Sequence, residues 1–299
     1  MGHRKIRAIL TCALTVLANF HTLAATAPMA AILAGSAASD WRMPDPDNTL
    51  YLELDTGRIV IELAPRFAPL HVTNVRKLAR SGYFDGLAVI RVQDNYVAQW
   101  GDPEARRALP AGVGDVAAEF AAPIENGAAF TRLPDRDGYA AESGFADGFP
   151  AARDPRLRQT WLVHCYGMVG VGRDESVTSS GAELYAVIGH APRQLDRNVA
   201  LVGRILKGVE LLSSLPRGHG ELGFYAADDR PVPIRAVHIA VDLPPAQRSR
   251  LEILRTDTQV FAALVESRRN RPERWFKVQA GHIDVCNVPL PVRENPAPP

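Results

Sequence analysis

A single cation, Arg91, sits in a β-prone run. It is followed by an aromatic-aliphatic pair, Tyr96-Val97, then by an amide, Gln99, then by a turn signal, Gly101-Asp102. A guanidinium only donates hydrogen bonds, and an amide both donates and accepts. Set beside an aromatic ring and an aliphatic side chain, the pair suits work done by fixed donors next to an apolar pocket. Elsewhere the eight His are scattered, and no metal-ligand cluster or phosphate-cradling Gly-rich loop occurs, so no cofactor is expected.

The stretch S-G-Y-F-D-G-L-A-V-I-R-V-Q-D-N-Y-V-A-Q-W-G-D, residues 81 to 102, resembles the core of the cyclophilins, the prolyl isomerases. The family pattern there is approximately Tyr-Asp-Gly-x-x-Phe-His-Arg-Val-x-x-x-Phe-Met-x-Gln-Gly-Gly-Asp. Asp85-Gly86, Arg91-Val92, Tyr96-Val97, Gln99 and Gly101-Asp102 fall in register with it without a gap. Residues 50 to 63 and 68 to 78 look like the family's opening hairpin and first helix. The segments 167 to 173, 180 to 189, 195 to 205 and 233 to 239 continue the pattern in order. The resemblance covers about residues 49 to 243 and implies a mainly β fold, a closed eight-stranded barrel capped by two helices.

It also implies a chemistry. Rotation about an Xaa-Pro amide is slow because the C–N bond has partial double-bond character, with a barrier of roughly 18 to 20 kcal/mol. The catalyst binds the twisted amide better than either planar isomer, and in the twisted state the proline nitrogen accepts a hydrogen bond. Carried over residue by residue, Arg91 is the donor to that nitrogen and Gln99 orients the substrate carbonyl or the Arg itself. Tyr96, Val97, Leu184, Tyr185 and Leu195 form the proline pocket, and Gly172 and Arg173 match the backbone segment that pairs with the bound peptide. The family's Phe-His before the Arg is Val89-Ile90 here, the first Gly of Gly-Gly-Asp is Trp100, a pocket His or Tyr is Val199, the occasional Trp is Gln194, and a pocket Gln is Glu183. A carboxylate at 183 could pair with Arg91 and weaken its pull on the proline nitrogen, or lock the guanidinium in place. Two functions follow: a peptidyl-prolyl cis-trans isomerase that assists the folding of exported proteins, or a cyclophilin-like module that binds Pro-containing segments or a protein partner with little catalysis.

The residues themselves predict the elements that would hold this site. Leu50, Leu52 and Leu54 alternate with Tyr51, Glu53 and Asp55, and Ile59, Ile61 and Leu63 alternate with Val60 and Glu62 across Thr56-Gly57, a hairpin with one buried face. Val72, Val75, Leu78 and Ala79 recur at helical spacing and Ser81-Gly82 closes the run. Further half-buried strand patterns occur at 199 to 205 and 234 to 241. Many strands and few helices favour an all-β barrel or sandwich.

Two segments fall outside this core. Residues 104 to 160 carry many Gly, Pro, Asp and Arg without sustained periodicity and read as a long loop insertion, mostly exposed and mobile. Residues 244 to 299 read as a partly helical extension, with Asp257 a plausible cap, that docks on the barrel through Val260, Phe261, Leu264, Trp275, Phe276 and Ile283. The chain thus divides into a lead at 1–38, a cyclophilin-like domain at 39–243 and the extension.

With 34 Lys and Arg against 33 Asp and Glu, the net charge of +1 gives no global pull toward nucleic acid or an anionic membrane. Basic His3-Arg4-Lys5-Arg7 precedes an uncharged Leu/Ala-rich stretch to about Ala38, which reads as a secretory signal peptide cleaved after Ala24, Ala27 or Ala38. The mature protein is then expected to be periplasmic and monomeric, without a stable membrane span, and its partners are proline-containing polypeptides. After cleavage Cys165 and Cys286 remain, either as one disulfide or as two buried thiols.

Overall fold

The computed structural model describes residues 27–295; most of the stretch expected to be a signal peptide lies outside the described residues. Eight strands close into a barrel: β1 (Thr49–Leu54), β2 (Gly57–Leu63), β3 (Ala88–Val92), β4 (Val97–Gly101), β5 (Met168–Val171), β6 (Glu183–Val187), β7 (Leu201–Lys207) and β8 (Val232–Ile239). Around the barrel the order is β5-β6-β4-β3-β8-β1-β2-β7, with β7 closing on β5, and every pair is antiparallel. The expected hairpin is β1–β2, with Leu54 opposite Gly57 across the two-residue turn Asp55-Thr56. Its inward set, Leu50, Leu52, Leu54, Ile59, Ile61 and Leu63, joins the barrel core with Trp100, which is 1% exposed.

Two helices plug the barrel ends. The helix Pro69–Arg80 begins with Pro at its first position, where the missing N–H would be unbonded anyway. It buries Val72, Val75, Leu78 and Ala79 and ends at Ser81, followed by Gly82 at φ 68°, where a side chain would be strained. The shorter helix Val209–Ser213 contributes Leu212 to the same core.

A second layer covers one outer face of the barrel. Val97, Met168, Tyr185, Val187 and Leu201 point outward from their strands and meet Trp41, Phe145, Phe149, Trp161, Phe261 and Leu264 in a separate buried cluster. Three parts of the chain build that layer. The first is the N-terminal segment, whose helix Met29–Ala34 packs Met29, Ile32 and Leu33 into the cluster. The second is the insertion. The third is the C-terminal extension, whose strand Leu251–Leu254 pairs with both Trp41–Arg42 and Val292–Glu294.

The insertion is exposed or half-exposed from residue 104 to about 130, but its second half corrects the expectation of a loop by folding into strands. Its first part, through about residue 130, has little regular structure beyond the short strand Ala122–Pro123, which edges a five-stranded sheet of order Ala122–Pro123, Gln159–Leu162, Phe149–Asp154, Glu142–Ala146, Thr131–Arg132. The central hairpin turns at Asp147-Gly148, both at positive φ (53° and 84°), the turn geometry that matches strand twist. Small residues in the flanking strands, Gly144, Ala146, Ala151 and Ala152, hid the period-two pattern, while Phe145 and Phe149 are buried.

The extension buries Phe261, Leu264 and Ile283 in the second-layer cluster, but Trp275 is 80% exposed and Phe276 only half-buried. Its helix Gln259–Arg269 is capped by Thr258, whose hydroxyl accepts from the Phe261 N–H (3.2 Å); Asp257 instead pairs with Arg255 at 2.8 Å. Cys165 and Cys286 are disulfide-bonded, Cα to Cα 4.9 Å, tying the extension to the connection that enters β5. Among the described residues no helix is long and apolar enough to cross a membrane.

Candidate active site

The site is built on the outer face of β3, β4 and β6. Register places Arg91 opposite Gln99 and Gln99 opposite Tyr185, so three strands present one row of side chains. The register shifts between Val89 and Arg91, an irregularity of the kind that locally bends a strand. Arg91 Nε donates to the Leu222 carbonyl (2.7 Å), Nη1 to Gln99 Oε1 (3.3 Å) and Nη2 to Gln93 Oε1. The guanidinium carbon lies 5.2 Å from the Phe224 ring and 5.5 Å from the Tyr96 ring. Three of its five N–H groups are thereby used in orienting it, which leaves two for a ligand. Burial lowers its pKa below the usual arginine value, with Tyr96 acting in the opposite sense, yet the group stays a cation.

Gln99, 9% exposed, passes the order on. Its Oε1 accepts from Arg91 while its Nε2 donates to Glu183 Oε2 at 2.7 Å. Glu183 therefore does not pair with Arg91, because the amide stands between them; by fixing Gln99 it locks the guanidinium at one remove. Burial raises the Glu183 pKa above the usual carboxylate value, the Gln99 bond opposes this, and Asp102 and Asp174 add to the rise. Gly172 closes the row: its N–H donates to the Glu183 carbonyl (2.9 Å), and a Cβ there would lie 3.0 Å from Glu183 Cβ and 3.3 Å from Gln99 Nε2. Arg173 donates to the carbonyls of Asn198, Asp174 and Ser176.

Tyr96, Val97, Tyr185, Leu195 and Val199 converge on the same groove, of about 850 Å³, with Arg91, Gln99, Gly172, Arg173 and Glu183. Tyr96 is set by the loop after β6, where Ile188 N–H bonds its carbonyl (2.9 Å) and His190 N–H bonds the Asn95 side chain (2.8 Å). Leu184 is the exception and corrects the sequence reading. In a strand alternate side chains face opposite ways, so with Glu183 and Tyr185 outward Leu184 points inward, 2% exposed in the barrel core. Trp100 and Val89 are likewise core residues.

Sequence reasoning missed the support behind Tyr185. Its hydroxyl meets His164 Nε2 at 2.8 Å, His164 Nδ1 meets Asp196 Oδ1 at 2.9 Å, Asp196 Oδ2 accepts from Arg193 Nε at 2.7 Å, and Arg193 grips Asp137 of the insertion with two bonds of 2.9 Å. Burial pushes the Tyr185 phenol well above its usual pKa, so it stays protonated. Gly170, opposite Tyr185 on β5, leaves space for the ring; a Cβ there would lie 2.3 Å from the phenol oxygen. Leu222, Phe224 and Gln93 were missed too, since the first acts through a backbone carbonyl, which no residue type signals.

The groove thus holds a fixed guanidinium with spare donors beside a pocket of rings and aliphatic side chains, above a closed barrel. Such a surface can grip a proline ring and supply a hydrogen bond to its nitrogen as the amide twists, with no nucleophile or proton transfer. This is the architecture of a prolyl isomerase barrel.

Residues 49–240 match the family model described as cyclophilin type peptidyl-prolyl cis-trans isomerase/CLD, and the chain belongs to that family. A probable peptidyl-prolyl cis-trans isomerase of Brucella suis biovar 1 is 28% identical over 174 residues, which is 58% of this chain and 74% of that protein. The human peptidyl-prolyl cis-trans isomerase-like 1 is 35% identical over 71 residues, 24% of this chain and 40% of that one. Among solved structures, the cyclophilin AquaCyp293 from Hirschia baltica is similar with a TM-score of 0.70 and 28% identity, over 86% of this chain and 95% of that chain. That likeness extends beyond the barrel into the second layer. The protein is an enzyme of the peptidyl-prolyl cis-trans isomerase class, acting on proline-containing peptides.

Proposed function

We propose that this isomerase works outside the cytoplasm, in the periplasm, as a monomer that turns Xaa-Pro bonds of exported proteins and so assists their folding. The Arg91–Gln99–Glu183 row in an open groove carries the catalytic part of this reading. The compartment is supported by the basic-then-apolar start of the sequence and by the Cys165–Cys286 disulfide, a bond that persists in oxidising compartments. Of the three candidate cleavage points, Ala24 and Ala27 fit the fold. Cleavage after Ala38 would remove the Met29–Ala34 helix and Ser36, whose hydroxyl accepts from the Trp41 indole N–H at 2.9 Å.

Mass spectrometry of the periplasmic fraction of an expressing bacterial host tests the export reading. The expected species starts at Ala25 or Pro28 and carries both cysteines oxidised. An intact chain kept in the cytoplasm with two free thiols would overturn it.

A further inference from the structure

The groove has two chemically distinct ends. Tyr96, Val97, Tyr185, Leu195 and Val199 make one, and beyond the Arg91–Gln99 pair the lining turns acidic with Glu183, Asp102, Asp115 and Asp174. Register measures the separation: Tyr185 lies opposite Gln99 and Glu183 opposite Gly101, two residues further along the strands, or about 7 Å. An extended peptide advances about 3.3 to 3.6 Å per residue. With its proline in the apolar pocket, it reaches the acidic end two residues away.

The cations near that end do not neutralise it. Arg107 donates to the carbonyls of Tyr83 and Asp85, and Arg173 to three carbonyls. Neither guanidinium pairs with one of the four carboxylates. Gln99 takes Glu183 Oε2 and leaves Oε1 to the groove.

We propose that the acidic end selects substrates, with Glu183 as the specificity-determining residue, so that the preferred segments carry Lys or Arg about two residues from the proline. This rests on the reading that the groove binds Pro-containing polypeptides. One charge pair at groove distances, partly screened by water, corresponds to a preference of roughly five- to tenfold. Burial, with Asp102 and Asp174 adding like charge, raises the Glu183 pKa, while Gln99 opposes and Arg91, Arg107 and Arg173 are the cations facing the groove. The preference therefore fades as pH falls through the raised pKa of Glu183 and its carboxylate takes up a proton.

The test is kcat/KM, by NMR exchange, for peptide sets identical except for Lys, Ala or Glu placed two residues before or two residues after the proline, at low salt. The expected result is a roughly five- to tenfold advantage of Lys over Glu at one of the two positions. That ratio should shrink to about two or less in Glu183→Gln and at high salt, and partly in Asp174→Asn. Equal turnover of Lys and Glu peptides at both positions, or a ratio unmoved by Glu183→Gln, would overturn the proposal while leaving the isomerase reading standing. Should no peptide turn over, calorimetric Kd values for the same sets decide: a Lys preference upholds the acidic end and sinks the catalytic reading, whereas equal Kd values refute the acidic end.

Discussion

Replacing both Cys165 and Cys286 by Ala removes the one covalent link between the extension and the connection entering β5. The bridge spans 121 residues of sequence. In the chain-entropy account a closed loop of that length withholds about 16 cal/mol/K from the unfolded chain, or about 5 kcal/mol at 25 °C. Measured effects usually fall below the calculated one, at about 2 to 4 kcal/mol. Cys286 is only half-buried, so the Ala there leaves little cavity, while Cys165 is 5% exposed and its truncation adds to the loss. Urea unfolding followed by tryptophan fluorescence suits the question, because Trp41, Trp100 and Trp161 are buried in the two cores. The double variant should unfold with a stability lower by about 3 to 5 kcal/mol, and reduced wild type should match it. A variant within about 0.5 kcal/mol of the oxidised protein would refute the reasoning. It would mean that the second layer holds itself on the barrel without the bridge.

Gly170→Ala places a methyl 2.3 Å from the Tyr185 phenol oxygen, so the ring must leave its bond to His164 or the strands must part. Stability should drop by about 1 to 3 kcal/mol and turnover by tenfold or so, whereas Gly138→Ala, which meets nothing within 4 Å, should change neither. Glu183→Gln should stabilise the protein at neutral pH. Because the folded pKa of Glu183 is raised, the folded state holds that proton more tightly than the unfolded chain, near 4.5, and wild type loses stability as pH rises between the two values. The gain from Gln is thus absent at low pH and full above the raised pKa, and thermal melts in which it appears only at low pH would contradict this.

The strands of the barrel were legible where large side chains alternate, as in Leu50 to Leu63, and the first helix where Val72, Val75 and Leu78 recur. Closure into a barrel was not, since periodicity says which face is buried but not which strand is the neighbour; it came from the family resemblance. The row Arg91, Gln99, Glu183 was legible as residue types, but its wiring was not: the Leu222 carbonyl and the Gln99 bridge depend on segments 84 to 131 residues apart. Leu184 was misplaced although the alternation around it gave the answer. The insertion was misjudged for a different reason. Its strands are rich in Ala and Gly, whose burial leaves no hydrophobic period, and only the Asp147-Gly148 turn marked the hairpin.

The central claim is that Arg91, held by Leu222, Gln93 and Gln99, supplies the hydrogen bond that favours the twisted proline amide. Exchange spectroscopy on a short Xaa-Pro peptide, with catalytic amounts of folded wild-type and Arg91→Ala protein, measures that contribution directly. Removing one preorganised donor of this kind costs about 10² to 10³ in rate. The account predicts a loss of that size with circular dichroism and urea midpoint preserved. Turnover within a few-fold of wild type in the folded Arg91→Ala protein would contradict it.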